Sequence, residues 1–136
     1  MGDYTLKHYD FDRGSLLHPL KKALGLTSVG VSLSRMEPGM GYPFFHAHKA
    51  EEEILICLEG SGTMLVEDEE ITMKRGDFLR IAPEAPRAVG NRTNEPCTFL
   101  ILGALPPEKY KSEAEGMFLI DDGVEMQDRI ADWTIK

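Results

Sequence analysis

The sequence predicts an all-β protein, a sandwich or barrel. Three observations lead there. From residue 27 onward, short apolar runs alternate with Gly- and Pro-rich turn signals every eight to twelve residues. One of these runs, "TSVGVSLSRM", alternates strictly, with Val29, Val31 and Leu33 on one face and small polar residues between them. The chain has 136 residues, enough for one hydrophobic core, so residues 1–136 read as a single domain.

The elements follow in order. "SLLHPLKKALGL" spaces Leu16, Leu17, Leu20 and Leu24 near a helical period, with Ser15 as N-cap and Gly25 as stop. Pro19 suits a first helical turn, so a short helix is expected there. "TSVGVSLSRM" is the first strand, broken by "EPGMGYP". "EEILICLEG" is the next clear run, stopped at Gly60. "TMLVED" and "EITMKRG" read as hairpin partners, and "DFLRIAP" ends in the turn "PEAP". "RAVGNRT" and "CTFLILGAL" complete six or seven strands, with the barrel core at about residues 27–104. Beyond it, the tail after "PPEKYKSEAEG" is expected to hold one helical turn, "GMFLIDDG" suggests a strand, and "VEMQDRIADW" fits either.

Ile54, Leu55, Ile56, Cys57 and Leu58 are apolar without alternation. A strand of that kind is covered on both faces. One face looks into the barrel, and the other needs a second layer or a partner subunit. A homodimer is therefore expected.

Charge and composition narrow the function classes. The net charge is −8 and no Lys/Arg block exceeds two residues, which argues against nucleic acid and anionic membrane surfaces. No apolar run approaches the roughly 18 residues of a membrane span. The N-terminus is mixed and charged, unlike a secretory signal, and Leu6 breaks the myristoylation pattern. A cytoplasmic location is the expectation, and Cys57 and Cys97 then read as buried free thiols.

The chemistry concentrates in "HAHKAEEEILICLEG", residues 46–60. His46 and His48 are two apart, so on a strand both imidazoles face the same side. Glu53 follows after four residues and can add a carboxylate oxygen. Two neutral imidazoles and one carboxylate suit Fe(II), and also Mn, Ni or Zn, with coordination positions left open. Glu51 and Glu52 read as solvated loop charges, with Glu52 an alternative ligand if the strand starts one residue early.

This stretch resembles the first motif of the cupin superfamily: two His, a Glu and a closing Gly at this spacing. "GDFLRIAPEAPRAVGN", residues 76–91, is similar to the second motif at its start and its end. The resemblance covers about residues 27–104. It implies a cupin-type double-stranded β-helix, a jelly-roll barrel with short terminal helical segments and the site inside. The second motif departs from the family in one residue. Where the family places a third metal-binding His, with three residues between it and Asn91, this chain has Arg87. The turn is also one residue short and lacks its usual Gly. His8 and His18 lie outside both motifs.

Two readings remain open at this level. In one, His46, His48 and Glu53 hold a divalent transition metal, and Arg87 clamps an anionic ligand bidentately. The protein is then a metal-dependent enzyme, dioxygenase-like or isomerase-like, acting on a small molecule. In the other there is no metal. Arg87 pairs with Glu53 inside the barrel, and the protein binds a small acid or sugar without turnover. In either case Tyr42, Phe45, Cys57, Met36 and Phe44 are candidates to line the pocket. Asn91 reads as a structural residue that ties down backbone.

Overall fold

The computed structural model describes residues 3–105 and 125–135. These residues form two five-stranded antiparallel sheets, with strands numbered in chain order. The first sheet runs β1 (His18–Pro19), β2 (Val29–Met36), β9 (Cys97–Ala104), β4 (Glu52–Glu59) and β7 (Phe78–Ile81). The second runs β10 (Glu125–Ile130), β3 (Phe44–Ala47), β8 (Arg87–Gly90), β5 (Ser61–Val66) and β6 (Glu69–Lys74). Apart from the β1–β2 and β5–β6 pairs, successive strands cross between sheets, and the expected jelly roll is observed. It holds ten strands among the described residues, more than the six or seven read from turn signals. The extra strands include β1 and β10, which add a sheet edge at each chain end.

Strand parity sets the interior. Along β4, Glu53, Leu55 and Cys57 are buried, while Ile54, Ile56 and Leu58 are half-buried on the outer face. The unbroken apolar run is thus a strand with two unlike faces. In β2 the buried set is Gly30, Ser32, Ser34 and Met36, with Leu33 buried from the other side. Val29 and Val31 are half-buried on that outer side. Alternation was correct there, but the small residues face in. They leave room where bulk would fill the barrel.

One end of the barrel is packed shut. Met36, Cys57, Met64, Met73, Cys97 and Phe99 meet there, each at most 2% exposed. Each of the Met and Phe side chains contributes about 1.5–3 kcal/mol over exposure. Cys57 and Cys97 are free thiols, and burial pushes their pKa values up to about 11 and about 12. Gly60 turns the chain between β4 and β5 at φ 72, where a Cβ would come within 2.4 Å of the Pro96 carbonyl oxygen. Glycine is the residue that fits both demands. Asn91 is fully buried and structural as expected, donating to the Met36 and Glu95 carbonyls at 3.0 and 2.7 Å.

The ends of the chain depart from the helical expectation. The helix α1 covers only Lys21–Leu24, with Leu20 at its N-cap and no side-chain cap. Ser15 instead donates to the Leu17 carbonyl. His18 and Pro19 pair with Leu33 and Ser32 of β2, so sheet pairing overrides the leucine spacing. Gly25 does stop the helix, in the left-handed conformation. The ambiguous "VEMQDRIADW" gives β10, paired with β3, rather than a helix. Trp133 follows it, packs over Gly41 and Gly90, and donates to the Tyr42 carbonyl at 2.8 Å. The turn and strand expected within residues 106–124 lie outside the described residues. Among the described residues no helix is long and apolar enough to cross a membrane.

Candidate metal centre

The other end of the barrel is open and holds the polar groups. His46 lies on β3, directly opposite Arg87 on β8. His48 follows the end of β3, where its N–H donates to the Pro83 carbonyl at 2.8 Å. Glu53 reaches in from β4 of the facing sheet. One donor atom from each of His46, His48 and Glu53 falls within 4.8 Å of the others. That is near the spacing that ligands about 2.0–2.2 Å from a shared ion require.

The electrostatics fit such an ion. Burial, then Arg87, then His48 hold the His46 pKa down to about 3, so its imidazole stays neutral. A neutral imidazole is the ligating form. His48 Nε2 lies 3.6 Å from Glu53 Oε2. On the other edge of the ring, Nδ1 lies 3.2 Å from Glu51 Oε2. A carboxylate beside Nδ1 favours the proton there and leaves Nε2 as the lone-pair donor.

Glu51 is the residue that sequence reasoning misplaced. It is fully buried, not a solvated loop charge. Its carboxylate lies against the Cα of Gly103, where a Cβ would come within 1.7 Å of Glu51 Oε1. The signal was parity. Glu51 and Glu53 share the inward face with Leu55 and Cys57, whereas Glu52 points out and pairs with Arg80 at 3.1 Å. Glu52 is therefore not an alternative ligand.

Arg87 is 1% exposed. Its Nε donates to Glu53 Oε1 at 3.1 Å, and Nη2 lies 3.0 Å from the same oxygen. Its Nη1 donates to the Pro83 and Ala85 carbonyls, each at 2.9 Å. The Pro-rich turn of the second motif thus closes on its own Arg. A bidentate grip on a ligand would require these bonds to break. The Arg87–Glu53 pair and the metal geometry are compatible, because Arg87 takes Oε1 while Oε2 faces His48.

A cavity of about 260 Å³ opens from this centre. Tyr42 and Phe44 line it, together with Ser32 and the ends of the chain at Leu16, Leu17 and Met126. Three candidates do not line it. Phe45 packs on the outer side of its sheet with Ala88, Ala131 and Trp133, because it has the opposite parity to His46. Cys57 and Met36 face inward but belong to the closed end. Burial raises the Tyr42 pKa to about 12, so its phenol stays protonated.

Comparison with known proteins agrees with this fold. The cupin domain profile matches residues 32–103. An uncharacterized protein from Methanocaldococcus jannaschii is 30% identical over 107 residues, 78% of this chain and 85% of that protein. A cupin protein from Bacteroides fragilis shares 30% identity at a TM-score of 0.70, covering 87% of this chain and 95% of its own. A structure described as a sugar phosphate isomerase of the cupin superfamily, from Silicibacter pomeroyi, shares 32% identity at a TM-score of 0.60. That match covers 67% of this chain and 59% of the other. With a family profile spanning the barrel and relatives matched along most of their length, the chain belongs to the cupin family.

Proposed function

We propose that this protein is a metal-dependent cupin enzyme that takes a small anionic substrate, with oxygen-dependent chemistry as its reaction class. The observation that carries this is a two-His, one-carboxylate donor set at the head of an apolar cavity. A ferrous ion held there would supply Lewis-acid and redox chemistry, with positions open to substrate and O₂. Mn, Ni and Zn suit the same donors.

The chain's own groups divide the remaining work. Arg87 holds Glu53 and offsets its charge, so the Arg87–Glu53 pair is close to neutral. A divalent ion then leaves the centre cationic, which favours a carboxylate or another anionic oxygen group on the substrate. Glu51 orients His48, and the apolar wall excludes water. An isomerase would need a side chain to shuttle a proton. Among the described lining residues outside the donor set, the titratable groups are Tyr42 and Arg87. Neither gives up a proton readily near neutral pH, and this favours oxygen chemistry over isomerisation.

A second reading has one specific support, the Arg87–Glu53 pair itself. In that reading the pair replaces the ion, and the barrel binds an acid or sugar without turnover. Elemental analysis of protein purified without a metal-affinity tag, then reconstituted with Fe, Mn, Ni or Zn, decides between them. Near-stoichiometric metal that is lost in His48→Ala is expected. Failure to retain any of the four metals would overturn the enzyme reading and leave the binding module.

A homodimer belongs to the same proposal. Ile54, Ile56, Leu100 and Leu102 are adjacent on the outer face of the first sheet, and Phe78 beside them is 66% exposed. Pairing two copies through this face would cover it. Light scattering coupled to sizing should give twice the chain mass at micromolar concentration. A monomer would count against the dimer.

A further inference from the structure

The cavity has a second polar point, away from the metal centre. Ser32 is 1% exposed and lines the cavity. Among the described residues, its Oγ has no hydrogen-bond partner. A buried hydroxyl left in that state costs free energy, and nothing in the strand requires it, since an alanine would pack there without the penalty. The other hydroxyl on the wall, that of Tyr42, is directed at the Leu16 carbonyl at 3.5 Å. Register places Ile101 and Leu55 between Ser32 and Glu53, and Leu16, Leu17, Met64 and Val89 add further apolar lining.

Register gives the span. Ser32 pairs with Ile101, which pairs with Leu55, and Glu53 lies two residues along the strand from Leu55. Two strand spacings across and two residues along place the Ser32 and Glu53 Cα atoms about 12 Å apart. Side chains extend inward from both, so a short chain bridges them.

We propose that the Ser32 hydroxyl is the distal anchor for the cavity's ligand, a short-chain carboxylic acid with a hydroxyl or carbonyl at its far end. This rests on the reading of the cavity as the chamber of a metal-dependent enzyme. The carboxylate binds at the cationic head, the methylene body lies against the apolar wall, and the far oxygen bonds to Ser32. A polyhydroxylated ligand fits less well, because the middle of the wall gives its hydroxyls no partners.

The test uses titration calorimetry on Zn-loaded and metal-free protein in parallel. The probes are ω-hydroxy carboxylates from hydroxybutanoate to hydroxyoctanoate, each against its matching n-alkanoate. In the unsubstituted protein one chain length should show an advantage of about three- to tenfold for the hydroxy acid. Ser32→Ala should abolish that advantage, leave the alkanoate affinity in place, and keep or raise the unfolding temperature. The inference is overturned if no chain length shows the advantage, if Ser32→Ala retains it, or if neither series binds. Failure to take up Zn, with the hydroxyl advantage intact on the metal-free protein, overturns the enzyme reading and not the anchor.

Discussion

The two ends of the barrel interior share strands but not chemistry. On β4 the inward residues run from Glu53 through Leu55 to Cys57, from a paired carboxylate to a packed thiol. The closed end is held by contact between apolar side chains. The open end is held by directed polar contacts: Arg87 to Glu53, Pro83 and Ala85, and Glu51 to His48. Damage at the closed end should therefore lower stability alone. Damage at the open end should lower stability or metal affinity according to which contact is cut.

The largest effect is expected at Arg87. Arg87→Met leaves Glu53 buried without its cation and should cost about 3–5 kcal/mol in denaturant unfolding. Adding Glu53→Gln should recover most of that loss, since the stranded charge is gone. No recovery would show that packing, not charge, dominates the open end. At the closed end, Phe99→Ala should cost about 3–5 kcal/mol, through lost burial and the cavity left behind. Its metal content per folded chain should stay unchanged, and a fall would mean that the two ends are coupled.

Glu51→Gln should be milder in stability and specific in effect. The metal affinity should fall about 10- to 100-fold in a chelator competition, because His48 loses the carboxylate that orients it. Unchanged affinity would reduce Glu51 to a packing residue. A separate effect, read on the metal-free protein, is that of pH. The His46 pKa is about 3 when folded, against about 6.5 for a free imidazole. Between these values the unfolded chain binds more protons, so stability should fall as pH drops from about 6.5 toward about 3. Thermal unfolding between pH 7 and pH 4 measures this, and His46→Asn should flatten the slope.

Much of this site was legible before folding. The His46, His48 and Glu53 spacing, fixed against Gly60, named three side chains that converge, and the offset from Asn91 located Arg87. Glu51 was misread because three successive glutamates look like a solvated run. Parity along the strand separates them, sending Glu52 outward to Arg80 and Glu51 inward to His48. Ser32 was passed over for a related reason. Alternation shows that residues share a face without saying which face is inside, and the bulkier set drew attention. The leucines near Pro19 misled in another way, because pairing with β2 is a tertiary fact that local spacing does not contain.

Part of the cavity lining comes from the first and last segments of the described barrel. Leu16 and Leu17 come from before the first long strand, and Met126, opposite His46, from the last. Ligand choice can therefore change through these segments while His46, His48 and Glu53 are left alone. For the experimenter, substitutions at Leu16, Leu17 or Met126 reshape the cavity lining without touching those three residues.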